Sequence, residues 1–364
     1  MRQLSALFAL GAMPLLALAE PSSKDESIVW HDVSDWNVEG QAWPVEELAS
    51  RFDRLPAKAE KIVRAPVWNL SRHSSGISFQ FTTDATEIRI RYQVGSASLD
   101  KPHMPATGAS GVDLYAMMPD GKWGWVEVTR PQAAETTHTI KGLDPGQRTY
   151  LAYLPLYNST TAIEIGVPNG AKLEPLPARD QDSIVFYGTS ITHGACASRP
   201  GMTHPAILGR WLDRPIINLG FSGNGRMEIE LAALLAEIDT SLYIIDCLPN
   251  MNGKLVDERA EAFVRKLREV RPETPILLVE DRSFTNSWIF KDRRERHAEN
   301  RAALIRAYDK LVSSGMKDIY YLAGESLLGE DTEGATDGSH PSDLGFFRQA
   351  EAFLPAIQEA LSLK

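Results

Sequence analysis

Ser190, Asp337 and His340 are the residues of this chain whose types and settings suit nucleophilic chemistry. A serine hydroxyl attacks a carbonyl only when a base removes its proton, and an imidazole oriented by a carboxylate is a fitting base. Asp337 precedes His340 by three residues in Asp337-Gly338-Ser339-His340-Pro341, close enough to turn back on the ring through Nδ1. Ser190 follows the apolar run Ile184-Val185-Phe186-Tyr187 after Gly188 and Thr189. A strand that stops in small residues delivers its next side chain to the carboxyl edge of a sheet, where open α/β sheets bind ligands. Taken singly, both motifs have plainer readings, since Gly, Ser and Thr favour any strand-to-helix turn and Asp-x-x-His-Pro suits a helix start. His193 and His204 lie nearer to Ser190 in sequence. No carboxylate adjoins His193 to orient it, and both read as lining or packing residues.

Four blocks, Gly188-Thr189-Ser190-Ile191-Thr192, Asn218-Leu219-Gly220-Phe221-Ser222-Gly223, Leu248-Pro249-Asn250 and Asp337 to Pro341, occur in the order of a known family. The chain resembles the SGNH (GDSL-type) hydrolase superfamily of serine esterases and lipases from about Asp182 to its end. The resemblance implies a triad of Ser190, His340 and Asp337 acting without metal or cofactor. It also implies an oxyanion hole made by the backbone N–H groups of Ser190 and Gly223 and the side-chain amide of Asn250. Glycine suits the second position because its loop must approach the substrate without a Cβ. Two departures stand out. Gly-Thr-Ser replaces the family's Gly-Asp-Ser, and Leu248-Pro249-Asn250-Met251 replaces Gly-x-Asn-Asp, which leaves Asn252 as a substitute for Asn250.

The elements that must position these residues change character midway. Ile77–Thr82, Glu87–Tyr92, Val112–Met117, Trp123–Val128, His138–Ile140, Thr149–Leu154 and Ala162–Ile165 alternate apolar with polar, and no helix pattern intervenes. Such a succession predicts a β-sandwich or jelly-roll domain over residues 20–175. Its opening stretch, Pro21 to about Asn69, lacks sustained periodicity and reads as an irregular lead-in with one short helix near Val45–Phe52. Residues 176–181 read as a linker. Over residues 182–364, strands at Ile184–Tyr187, Ile216–Leu219, Leu242–Asp246, Ile276–Glu280 and Ile319–Leu322 alternate with helical stretches. That alternation predicts a three-layer α/β/α domain with a parallel sheet, and the resemblance implies the flavodoxin-like strand order.

Inside the sandwich, Ser110-Gly111-Val112-Asp113-Leu114-Tyr115 resembles the GxDLY motif of a subgroup of exported bacterial SGNH-type esterases, with His103 to Gly108 and Tyr153 to Asn158 fitting the same subgroup. Asp113 and His103 are candidates to line a cleft shared by the two domains. Arg199 and Arg282, near the nucleophile and at the end of the fourth parallel strand, are candidates to read an anionic or hydroxyl-rich substrate; loop salt bridges are the alternative. Six of the eight tryptophans fall in the first half, where they serve either as sugar-stacking faces or as packing.

Composition bounds the partners. A formal net charge of −10 and the absence of a basic stripe exclude a nucleic-acid protein and argue against docking on anionic lipid. Arg2, the apolar run Leu4–Leu18 and Ala17-Leu18-Ala19 have the parts of a secretory signal peptide over residues 1–19, with an uncleaved anchor as the alternative. The expectation is an exported protein, periplasmic or secreted, with no stable membrane insertion after cleavage. Cys196 and Cys247 could pair in such a compartment or stay as buried thiols. The sequence therefore reads as an exported serine esterase that hydrolyses a small-molecule or glycan ester through an acyl-enzyme on Ser190, with deacetylation of a carbohydrate the favoured use. A lipid esterase or thioesterase is the rival of like chemistry, and a glycan-binding protein with a vestigial core the rival of another class. Nothing in the sequence fixes the oligomeric state.

Overall fold

The computed structural model describes residues 27–363; the leader expected over residues 1–19 lies outside them. The first half is built from β1 (Ile28–Asp32), β2 (Val38–Glu39), β3 (Ser78–Thr83), β4 (Glu87–Val94), β5 (Asp113–Met117), β6 (Trp123–Val128), β7 (Glu135–Lys141), β8 (Arg148–Tyr153), β9 (Thr160–Pro168) and β10 (Leu173–Pro175). These pair antiparallel in two sheets, β1-β9-β4-β7 and β10-β3-β8-β5-β6, with β2 also on β3. Alternation explains the packing. Ile88, Ile90, Tyr92 and Val94 of β4 point inward, where they meet Phe79, Phe81, Ile163 and Ile165.

The lead-in is more ordered than its sequence suggests. Ile28–Asp32 is a strand on β9, with Trp30 opposite Gly166, and a Cβ on that glycine would come within 2.8 Å of the indole. The strand is specified by a partner far along the chain, which local periodicity cannot show. Near the expected helix at Val45–Phe52 there is only a 3-10 turn, Val45–Glu47. The helix of this region lies instead at Ala65–Ser71, with proline in its first turn.

From Ile184 onward the strands run parallel: β11 (Ile184–Gly188), β12 (Ile216–Gly220), β13 (Leu242–Asp246), β14 (Ile276–Val279) and β15 (Ile319–Leu322). Their spatial order is β12-β11-β13-β14-β15, the flavodoxin-like order. Helices on both faces bury β11 completely. Val185 and Tyr187 enter one core, Ile184 and Phe186 the other.

Both of those cores extend into the N-terminal half. Trp43, Leu55 and Val67 pack with the first, and Met104, Leu156 and Tyr157 with the second. The crossing segment is fastened as well, since Arg179 forks onto Glu39 at 2.5 to 3.1 Å and donates to the Gly209 carbonyl. The expected linker is thus a rivet. No helix among the described residues is long and apolar enough to cross a membrane.

Candidate active site

The strand-to-helix turn after β11 is set by small residues. A Cβ on Gly188 would fall 2.0 Å from Thr192 Oγ1 and 2.9 Å from the Asp246 carbonyl, so only glycine lets the helix Ser190–His193 approach this closely. Thr189 is buried and caps that helix, its hydroxyl accepting from the Ile191 N–H at 3.2 Å. Threonine thereby does local work that requires no acidic side chain. Ser190 is left at the helix N-terminus with 8% of its surface exposed.

The hydroxyl of Ser190 lies 2.8 Å from His340 Nε2, and His340 Nδ1 lies 2.7 Å from Asp337 Oδ2. The other carboxylate oxygen accepts from the His340 N–H at 2.8 Å and the Ser339 N–H at 3.0 Å. Partial burial would raise the Asp337 pKa, but these hydrogen bonds and the imidazole outweigh it and bring it down to about 2. The carboxylate therefore remains an acceptor that fixes the ring with Nε2 toward the serine.

Two loops flank the serine because β12 and β13 lie on either side of β11, with Gly220 and Asp246 in register with Gly188. The first loop is held by Phe221 N–H donating to the Gly188 carbonyl at 3.0 Å. In it Gly223 has φ +69° and open space where a Cβ would stand. In the second loop, the orientation of Asn250 that satisfies its neighbours turns its amide oxygen to the N–H groups of Asn224, at 3.0 Å, and Gly225, at 3.3 Å. Its Nδ2 is then free to donate. Asn252 is otherwise engaged, capping helix Gly253–Val270 through Leu255 N–H at 2.9 Å.

His103 is exposed on a sandwich loop and stacks against His340, ring centroids 5.9 Å apart. The other three candidate substrate residues are placed elsewhere. Asp113 is fully buried and accepts from Arg199, Gly201 N–H and Trp125 Nε1 at 2.8 to 2.9 Å; burial raises its pKa against the pull of Arg199. It locks the two halves together and lines no cleft. Arg199 spends its charge on Asp113 and on the Tyr115 hydroxyl. Arg282 is wholly buried, forked onto Asp246 at 2.7 and 2.8 Å beneath the sheet edge, so it cannot touch substrate. An arginine that closes a strand looks the same in sequence whether it faces solvent or a buried carboxylate.

His193 and His204 are packing residues. His193 is buried against Tyr157, with ring centroids 4.2 Å apart and Nε2 2.7 Å from the Leu156 carbonyl, and His204 lies among Phe186, Phe346 and Phe353. Cys196 and Cys247 are both buried free thiols. Sequence reasoning missed Arg54 and the interdomain role of Tyr157. Arg54 is fully buried and donates to the carbonyls of Leu70, His73, Asn218 and Gly220 at 2.6 to 3.0 Å, while the Tyr157 hydroxyl donates to the Ser190 carbonyl at 3.3 Å. No signal in the sequence pointed to the first, since Arg54 directly follows Asp53 and reads as half of a local ion pair.

A flavodoxin-like sheet that presents a serine, a histidine and a carboxylate at its carboxyl edge, between a glycine loop and an asparagine loop, defines a hydrolase of the SGNH class. Residues 181–358 match the model of the GDSL-like lipase/acylhydrolase family, and residues 28–173 match the model described as the N-terminus of Esterase_SGNH_hydro-type. The chain belongs to this family of esterases. A GDSL-like lipase from Bacteroides ovatus is 33% identical, with 93% of this chain and 99% of that one covered and a TM-score of 0.88. Two more distant structures share the fold alone. A salicylyl-acyltransferase from a tetracycline biosynthetic pathway is 19% identical over 91% of this chain and 97% of its own, TM-score 0.72. A family two carbohydrate esterase from Cellvibrio japonicus is 12% identical over 92% and 98%, TM-score 0.61. No curated protein matches the sequence.

Proposed function

We propose that the protein is an exported serine esterase that removes acyl groups from a carbohydrate through an acyl-enzyme on Ser190. The observation that carries the mechanism is the unbroken chain Ser190 Oγ, His340 Nε2, His340 Nδ1, Asp337 Oδ2, at 2.8 and 2.7 Å. His340 takes the serine proton as Oγ attacks the ester carbonyl. The oxyanion forms toward the N–H groups of Ser190 and Gly223 and the Asn250 amide, each such donor being worth roughly 3 kcal/mol of barrier. The imidazolium then protonates the departing alcohol, and a water activated by the same ring releases the acid. A sugar alcohol is supported by the fold shared with a carbohydrate esterase, by the acidic charge and by the leader-like residues 1–19.

The test is active-site labelling. A fluorophosphonate should modify Ser190 alone, and Ser190→Ala should abolish both labelling and ester hydrolysis in a folded protein. Labelling of another serine, or an active alanine variant, would overturn the mechanism.

One feature favours the lipid-directed alternative. Trp288, Ile289 and Phe290 are 70, 60 and 49% exposed in the loop whose Thr285 N–H donates to the Gly338 carbonyl, beside the triad. An apolar rim there suits a long acyl chain. A series of p-nitrophenyl esters separates the readings: preference for acetyl supports the sugar deacetylase, and preference for long chains supports the lipid esterase.

A further inference from the structure

Apart from the Ser190 site, a groove of about 650 Å3 follows the seam between the two halves. The β5–β6 hairpin forms one wall, and helices His204–Trp211 and Asp343–Ala360 form the other. Trp125, Trp211 and Phe347 line it while 50, 41 and 43% exposed, and Trp211 meets Phe347 edge to face at 5.3 Å. A concentration of open ring surface at an interdomain groove is the setting in which ligands bind. Flat ring faces with polar groups at their edges match the C–H faces and equatorial hydroxyls of pyranose sugars.

Charge narrows the ligand further. The Arg210 guanidinium lies 4.1 Å over the Tyr115 ring and has no carboxylate partner among the described residues. Arg199, the groove's other arginine, is neutralised by Asp113 at 2.9 Å. Lys122, also in the lining, faces Asp120 at 3.6 Å, and Asp213, the lining carboxylate, faces Arg179 at 3.3 Å. That leaves Arg210 as the lining cation without a carboxylate of its own among the described residues, and such a guanidinium amid aromatic rings is complementary to an anion. Its position is also telling. Phe347 stands one helical turn, ~6 Å, beyond Asp343, which accepts from Ser198 N–H at 2.9 Å just after His340.

We propose that this groove binds an acidic glycan chain, with sugar rings stacked on Trp211, Phe347 and Trp125 and a carboxylate on Arg210, and so holds a polymeric substrate beside the Ser190 site. The proposal rests on the sugar-ester reading and extends it. It is tested on the full-length Ser190→Ala protein by calorimetry with a hexamer of galacturonic acid and with cellohexaose. The expected result is tighter binding of the acidic hexamer, weakened at least about tenfold by Trp211→Ala. Arg210→Gln should erase the preference for the acidic hexamer. No binding, equal binding of the two hexamers, or binding indifferent to both substitutions would overturn the proposal. Hydrolysis of p-nitrophenyl acetate by the wild-type protein is measured in parallel. Loss of that activity would count against the esterase reading alone, whereas the groove is judged by calorimetry, and Trp211→Ala should hydrolyse the small ester at the wild-type rate.

Discussion

Arg54, from the N-terminal half, donates to the carbonyl of Gly220 at 2.8 Å and so holds the end of β12 from which the Gly223 loop departs. The same guanidinium holds Asn218, Leu70 and His73 by their carbonyls. A buried cation bonded to four backbone oxygens orders the junction of two domains and the loop meant to receive an oxyanion. Arg54→Met should leave those carbonyls without donors and cost about 3 kcal/mol or more of stability. Denaturant unfolding checks the cost. If the clamp positions the loop, kcat should also fall at temperatures where the variant remains folded, with KM changed little; an unchanged kcat would restrict Arg54 to stability.

Asp337→Asn should lower kcat by about a thousandfold or more while leaving KM nearly unchanged, because a misoriented ring fails only when the proton must move. His193→Ala, by contrast, should reduce stability through lost packing against Tyr157. Steady-state kinetics and thermal unfolding of the two variants distinguish these roles. Intact turnover in Asp337→Asn would mean that another group orients His340.

The two asparagines of the Leu248–Asn252 loop should separate cleanly. Asn250→Ala removes the amide free to face an oxyanion and should lower kcat by about a hundredfold. Asn252→Ala removes a helix cap and should cost ~1 kcal/mol of stability with activity retained. A reversal of these effects would transfer the donor role to Asn252.

These contrasts show what the sequence carried and what it did not. The parallel strands were legible because each is an apolar run bounded by turns, and the serine, histidine and aspartate because the blocks that hold them, plain when taken singly, together resemble those of the SGNH family in its order. Asp113 was misread as lining a cleft and Arg282 as reading substrate, and the charge of Arg199 was taken as free, because a charged residue gives no sign in sequence of a buried partner far along the chain. Trp30's strand was hidden for a like reason, since Gly166 specifies it from another part of the chain. Arg54 was missed because its acceptors are carbonyls, which every residue has.

The buried histidines should make the protein less tolerant of acid. Burial, with Arg54 and His73 nearby, holds His193 well below the ordinary histidine value; burial with Arg282 does the same to His204, and burial with Arg54 and Lys101 brings His73 down to about 3. Each ring stays neutral in the folded state while the unfolded chain takes up a proton near pH 6.5. Stability from these groups is therefore full above that pH and is lost as pH falls toward the folded values, at about 1.4 kcal/mol per pH unit for each. Asp53, raised to about 6 by burial against the pull of Arg72, acts in the opposite sense, as do Asp113 and Asp246, raised by burial against the pull of Arg199 and Arg282. Urea unfolding between about pH 6 and pH 4 reads the histidine share of the slope by comparison with variants that lack one ring. Neither nitrogen of His204 has a hydrogen-bond partner in the structure, so His204→Leu should flatten the slope without orphaning a neighbour. An unchanged slope would show that His204 already exchanges its proton in the folded state.

The two halves should not survive separation. Tyr157 and His193 stack across the junction, Ser75 donates to the His193 carbonyl at 2.8 Å, and Tyr157 reaches the carbonyl of the candidate nucleophile itself. Trp43, Leu55, Met104 and Leu156 are buried in cores most of whose members belong to the parallel-sheet domain. Residues 182–364 expressed alone would expose both core edges to water and leave the Gly220 carbonyl without its Arg54 donor. Such a fragment should aggregate, or should hydrolyse p-nitrophenyl acetate far more slowly than the full chain, and adding the separately expressed first half should restore little because each half exposes apolar surface on its own. A soluble fragment with full activity would mean that the shared cores, the Arg54 clamp and the His103–His340 stack are dispensable to catalysis, and that the sandwich only covers the hydrolase.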